Sequence, residues 1–184
     1  VEGCTRIAES DQLLRADMST WRVLPWAPAE SGVGTARVIC DVVLPSGEPF
    51  AGDPRGVLRR QVERAAKLGY TVNMGPELEF FLFEVNEKGK PTNTPHDSAS
   101  YFDFSGDQGI EIRQDMVDAL ELLGIKIETA HHEVAPGQHE IDFEYSDALS
   151  TADNATTFKY AVKEIAKQHG LFASFMPKPI YGIN

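Results

Sequence analysis

Apolar residues recur at helical spacing in three stretches of the chain and at strand-like spacing in several others. Between Asp53 and Gly69, Leu58, Val62, Ala65 and Ala66 share a face; Asp53 suits an N-cap, Pro54 a first turn and Gly69 a stop. A second helix is predicted over about 113–123, with Met116, Val117, Leu120 and Leu123 on one face and Gly124 behind it. A third is predicted from about Ser150 to His169, with Ala155, Phe158, Val162 and Ile165 in register and Gly170 at its end. Strands are predicted over Thr35–Val43, over Tyr70–Val85 with an interruption at Gly75-Pro76, as a pair within 125–145, and over Leu171–Met176. Residues 86–110 read as a loop, punctuated by Gly89, Pro91, Pro95 and Gly106.

These elements fall into two parts. Residues 1–48 show little helical pattern, contain the aromatic stretch Trp21–Trp26 and are too short of core to fold alone. A boundary falls at Pro49 to Gly52. Beyond it, over 52–184, helices alternate with strands, and 114–134 and 153–176 each place a helix before a strand. That order predicts an α/β or α+β fold with a sheet covered by helices on one side. No internal repeat or low-complexity segment interrupts it.

Composition narrows the classes of function. The 184 residues are 42% hydrophobic and 24% charged, an ordinary globular balance. Seventeen Lys and Arg against 28 Asp and Glu leave a net charge of −11, which repels phosphate backbones and argues against a nucleic-acid partner. The cationic concentration Arg55, Arg59, Arg60 and Arg64 is interleaved with Asp53 and Glu63 and reads as a solvated helix face. Cys4 and Cys40 have no metal spacing and read as free thiols of a reducing compartment. No signal peptide opens the chain, and no apolar run approaches the ~18 residues of a bilayer span. A cytoplasmic protein without a membrane partner is therefore expected. The start, Val1-Glu2-Gly3-Cys4, has no initiator Met and suggests a trimmed chain.

Two segments carry candidate chemistry. In Glu77-Leu78-Glu79-Phe80-Phe81-Leu82-Phe83, alternation on a strand puts Glu77 and Glu79 on one face, which turns apolar at Phe81 and Phe83. Paired carboxylates at the edge of an apolar face are costly unless a cation meets them or the strand starts in solvent. In His131-His132-Glu133-Val134-Ala135-Pro136-Gly137-Gln138-His139-Glu140-Ile141-Asp142-Phe143, Ala-Pro-Gly-Gln reads as a four-residue hairpin loop. Val134 then pairs with His139, and Glu133 with Glu140. Cross-strand Cβ atoms lie about 5 Å apart, and like charges there repel by roughly 3 kcal/mol at an effective dielectric of 20. A divalent cation would remove that repulsion, and hard oxygen ligands favour Mg²⁺ or Mn²⁺. The alternatives are a protonated carboxyl or a different hairpin register. His131 shares a face with Glu133, and His132 faces the other way. A zinc site needs closely placed nitrogens, no Cys joins these histidines, and the Pro-Cys-x-x-Cys of zinc deaminases is absent. No phosphate-binding glycine loop and no Gly-x-Ser-x-Gly elbow occurs. Any handling of ATP thus falls to metal-bound carboxylates and scattered side chains.

Gly75-Pro76-Glu77-Leu78-Glu79-Phe80-Phe81-Leu82-Phe83 and the His131–Phe143 run resemble type I glutamine synthetases, ligases that join ammonia to glutamate with ATP. Glu9-Ser10-Asp11 and Phe175-Met176-Pro177-Lys178-Pro179 do so too, and the resemblance runs through essentially all 184 residues in order. It implies an α+β fold: part of a small β-grasp domain over 1–48, then the first half of the catalytic domain over 52–184, an antiparallel sheet with flanking helices. It implies two Mg²⁺ or Mn²⁺ ions in a complete site, one held by Glu79, Glu133 and Glu140, with Glu77 belonging to the second. By the same resemblance Glu128, Tyr145 and His131 lie on the nucleotide side and Asn184 contacts the glutamate substrate. Arg6 stands where one subgroup has an arginine of feedback inhibition. ATP, glutamate and ammonia are the implied substrates, reacting through a γ-glutamyl phosphate. A homo-oligomer of two stacked hexameric rings is the implied assembly. The family's Asp-Gly-Ser-Ser stretch and its Gly-Ser-Gly-Met-His run are missing, so a piece truncated at both ends, without the groups that deprotonate ammonium and inactive alone, is expected. A ligase for another amine and a purely structural assembly module are the competing expectations.

Overall fold

The computed structural model describes residues 11–27 and 33–183. Two compact units divide it: residues up to Met74 with Ser146–Asp153, and Gly75–Tyr145 with the residues from Asn154 onward. The expected boundary at 48–52 lies inside the first unit.

In the first unit, β1 (Leu13–Val23) pairs antiparallel with β2 (Ala36–Val43), from Leu13 opposite Val43 to Val23 opposite Ala36, with an irregularity between Asp17 and Arg22. Pattern analysis finds β2 but not β1. Leu13, Leu14, Met18, Trp21 and Val23 are all largely exposed, so neither face of β1 is buried enough to leave an alternation. Helix α1 (Pro54–Lys67) starts as expected: the Asp53 carboxylate accepts the Gly56 N–H at 3.0 Å, and Pro54 occupies the first turn. The two-residue strands β3 (Asn73–Met74) and β8 (Ser146–Asp147) pair antiparallel.

The arginine stretch of α1 departs from the expected solvated face. The Arg55 side chain is only 10% exposed and donates to Asp17 (2.6 Å), Asp41 (2.7 Å) and Asp153 (2.8 Å), while Arg59 also reaches Asp41 at 3.0 Å. Its partners lie 14 to 98 residues away in sequence, so helical spacing alone makes Arg55 look like its exposed neighbours.

The second unit is built on β4 (Glu79–Val85). Along one edge it pairs with β9 (Leu171–Ser174). Along the other it pairs first with β7 (Gln138–Phe143) and then with β5 (Pro91–Pro95). Strand β6 (Ile127–His132) completes the five-stranded antiparallel sheet beyond β7. Strand β5 lies within the expected loop 86–110; its two prolines suit an edge strand and hide its pattern. Helices α2 (Ile110–Leu122) and α3 (Ala148–Gln168) each begin two to three residues before their predicted starts.

Register assigns the two faces of this sheet. Phe80 pairs with His139, so both lie on one face with Leu82, Ile141 and Phe143. That face carries the helices: Phe158 of α3 lies against Phe80 (6.4 Å between ring centroids) and Phe143 (5.9 Å), and Arg113 of α2 reaches His139. Phe80, Leu82, Met116, Leu120, Ile141, Phe158 and Val162 are fully buried there. The opposite face carries Glu79, Phe81 and Phe83 of β4 beside Gln138, Glu140 and Asp142 of β7. Phe81 and Phe83 form a small second core with Ala135, against which Ile180 and Ile183 pack. The architecture is α+β, as the sequence predicts.

Candidate functional site

The β6–β7 hairpin pairs His132 with His139 and His131 with Glu140. Glu133 therefore does not oppose Glu140, contrary to the predicted register. It opens a five-residue loop, and its N–H donates to the Gln138 carbonyl at 2.7 Å. Gly137 takes a left-handed φ of 66° and the Gln138 N–H closes the turn onto the Ala135 carbonyl at 3.0 Å, so pairing resumes at Gln138 rather than His139.

The three carboxylates nevertheless gather on the helix-free face. Glu140 has Glu79 as its partner across one edge of β7 and His131 across the other. His131 stands between two of them, with Nδ1 3.4 Å from the Glu133 carboxylate and Nε2 3.5 Å from that of Glu140. Sequence reasoning missed Asp142, although the alternation Gln138, Glu140, Asp142 already puts it on that face. His131, Glu140 and Asp142 offer ligand atoms that all lie within 4.8 Å of one another. The Asp142 Oδ1 is buried without a hydrogen-bond partner. Burial pushes the Glu140 carboxyl up to about 8, helped by Asp142, by a hydrogen bond and charge from Glu133, and by Glu79. The metal-free site thus keeps a proton on Glu140 at neutral pH.

A layer of hydrogen bonds holds these carboxylates. The Gln138 amide donates to Glu79 and accepts the Ala135 N–H at 3.1 Å. Buried His132 donates from Nε2 to Asp97 (2.8 Å) and from Nδ1 to the Glu133 carbonyl (2.6 Å). Both partners are acceptors, so the surroundings favour the doubly protonated ring. Burial alone would lower the His132 pKa, but the Asp97 and Glu133 hydrogen bonds outweigh it and the pKa is raised. Asp97 also accepts the backbone N–H groups of Gly137 and Gln108, both at 3.1 Å. Beside it, burial, then Arg113 and His132, lower the His139 pKa to about 3, so that ring is neutral.

Asp97, His132 and His139 also have metal-compatible spacing. Their hydrogen bonds point elsewhere. His132 spends both N–H groups, and the His139 Nδ1 accepts from Arg113 at 2.9 Å, which leaves its proton on Nε2. No free nitrogen lone pair remains for an ion.

The other predicted residues are more scattered. Glu77 is exposed and precedes β4, so the shared strand face expected for Glu77 and Glu79 does not form. Glu128 is exposed in an irregularity of β6, and Tyr145 follows β7 at 68% exposure. His131 meets the edge of Tyr101, with ring centroids 5.3 Å apart, and both line a pocket of about 680 Å³ with Phe102, Phe104 and Arg113. Arg6 and Asn184 lie outside the described residues.

Residues 51–184 match the model of the glutamine synthetase catalytic domain, and residues 1–45 that of the glutamine synthetase β-grasp domain. A glutamine synthetase of Thermus thermophilus is 58% identical over 187 residues, covering 100% of this chain and 42% of that protein. One from Methanosarcina mazei is 54% identical, covering 100% and 41%. The solved structure of apo GmaS without ligand superposes with a TM-score of 0.84 at 32% identity, covering 98% of this chain and 42% of its own. The chain spans about two fifths of the length of these curated relatives.

Proposed function

This chain belongs to the glutamine synthetase family, and from that premise we propose that the full-length protein ligates ammonia to glutamate with ATP, through a γ-glutamyl phosphate. The observation that carries the reading is the convergence of Glu79, Glu133 and Glu140 beside Asp142 on the helix-free face of the sheet. Hard, crowded carboxylate oxygens suit Mg²⁺ or Mn²⁺, and the raised Glu140 pKa with the unpartnered Asp142 oxygen fits a site completed by a cation. Such an ion supplies positive charge to phosphoryl oxygens during transfer from ATP.

In this reading Glu79, Glu133 and Glu140 hold the ion on the glutamate and ammonium side, and Glu140 gives up its proton on binding. Glu77, exposed ahead of β4, belongs to the ion on the ATP phosphates. Glu128, His131 and Tyr145 serve the nucleotide, Asn184 the glutamate, and Arg6 feedback control. Residues 1–48 complete a β-grasp domain and 52–184 form the first half of the catalytic domain. The assembly is a dodecamer working in the cytoplasm. Among the described residues no helix is long and apolar enough to cross a membrane.

The test has two arms. Mn²⁺ is titrated by calorimetry into the protein and its Glu133→Gln variant; saturable binding that the variant loses is expected. Phosphate release by the full-length protein is then followed with ATP, glutamate and either ammonia or an alkylamine. Faster turnover with ammonia supports the assignment, and faster turnover with the alkylamine replaces it with ligation of that amine.

A further inference from the structure

The loop that carries Glu133 is fastened at both ends to one side chain from outside the hairpin. Asp97, two residues past β5, is 6% exposed. Its Oδ1 accepts the His132 Nε2–H at 2.8 Å and the Gly137 N–H at 3.1 Å. His132 passes the restraint to the Glu133 carbonyl through its Nδ1–H at 2.6 Å. One carboxylate oxygen thereby grips the first residue of the five-residue loop, through the imidazole, and the last directly. The other oxygen takes the Gln108 N–H at 3.1 Å, which orients the carboxylate.

Gln138 supplies a second tie. It is 3% exposed, and its amide oxygen holds the middle of the loop through the Ala135 N–H while its amide nitrogen donates to Glu79. The loop carrying one carboxylate is thus coupled to the strand carrying another, and neither Asp97 nor Gln138 belongs to the carboxylate group itself.

We infer that Asp97, acting through His132, and Gln138 are positioning residues that pre-set Glu133 and Glu79 around Glu140 for a divalent cation. Without them, binding an ion would have to order a five-residue loop and turn two carboxylates toward a third. With them, that ordering is complete before the ion arrives, and the Gln138 donor leaves Glu79 one oriented oxygen for it. The inference rests on the metal-site reading above and assigns work to residues outside that site.

The experiment titrates Mn²⁺ into the full-length protein and three variants by calorimetry. Bound Mn²⁺ is followed by electron paramagnetic resonance, and folding of the metal-free proteins by circular dichroism. Asp97→Ala and Gln138→Met are expected to raise the Mn²⁺ Kd by on the order of 10- to 100-fold per folded molecule and to broaden the bound-ion spectrum. Asp97→Asn keeps an oxygen for His132 and Gly137 and is expected to stay nearer the wild-type Kd than Asp97→Ala. A purely structural role would shift the unfolding midpoint and leave both the Kd and the spectrum unmoved. Folded Asp97→Ala and Gln138→Met proteins with wild-type Kd values overturn the inference, and Gln138→Met alone decides if Asp97→Ala does not fold. Absence of Mn²⁺ binding by the wild-type protein overturns the metal-site reading itself, and this inference with it.

Discussion

Glu140 is 7% exposed and has acidic neighbours in Glu79, Glu133 and Asp142. Its pKa stands at about 8 against an ordinary 4.5. Between those values the unfolded chain binds fewer protons at this position than the folded one, so its contribution to stability falls as pH rises. Glu140→Gln removes the titration and keeps the shape. The metal-free variant should therefore melt above wild type, by a margin that widens from pH 5 to pH 8 in thermal scans. Saturating Mn²⁺ should reverse the order at pH 8, because it stabilises only the protein that binds it. A margin that does not change with pH would remove Glu140 as the titrating group. The proton on Glu140 has a second consequence. Mn²⁺ must displace it, so apparent affinity should climb with pH to about 8 and then level. Calorimetry in buffers of different ionisation enthalpy reads the released proton directly; no release at pH 7 would contradict the raised pKa.

The β6–β7 hairpin turns on Gly137, whose φ of 66° favours glycine and whose added Cβ would lie 2.8 Å from the Leu82 carbonyl oxygen and 3.0 Å from Pro95. Gly137→Ala is expected to cost more than the ~1–2 kcal/mol of a left-handed non-glycine residue, since the close contacts are with backbone and a proline ring. Urea titration measures it, and an unchanged midpoint would mean that the loop moves to make room. Helix α3 is held differently. Phe158 is fully buried between Phe80, Phe143 and Phe175, so Phe158→Ala should lose about 3–5 kcal/mol. A loss under about 1 kcal/mol would mean that the cavity collapses. Both features were half legible. The period of α3 and the glycine of the turn stand out in the sequence. Of the two strands that crowd Gly137, β4 stands out too, but β5 does not, because it is an edge written largely in prolines and threonines.

Across the first unit, Arg55 joins β1, β2, α1 and the start of α3 through Asp17, Asp41 and Asp153. The side chains of Arg55, Asp41 and Asp153 are 10%, 11% and 16% exposed, so removing the cation takes a shared ion-pair partner from mostly buried carboxylates, of which Asp41 keeps Arg59. Arg55→Met is expected to destabilise this unit by about 3–5 kcal/mol, seen as an earlier urea transition. The loss should shrink as pH falls below the ordinary carboxylate range, because Asp41, whose burial is outweighed by Arg59 and Arg55 so that its pKa is lowered, loses its charge there. An unchanged transition at pH 7 would mean that water reaches the three aspartates once the arginine is gone.

The sequence by itself determined what short-range pattern and long motifs carry: three helices with their caps and stops, most strands, the α+β class, and Glu79, Glu133 and Glu140 as one family's acidic residues. These follow from side-chain periodicity and turn chemistry, which act over a few residues. Tertiary structure decided which acids meet. The turn at Gly137 shifted the register so that Glu140 faces Glu79 and His131, and Glu133 returns from a loop. It also decided that Asp97 fastens residues 35 and 40 positions away, that the Asp142 Oδ1 is buried beside the site, and that Arg55 is a mostly buried hub. Burial and hydrogen bonding between distant segments set those roles, and no window of local sequence contains both partners.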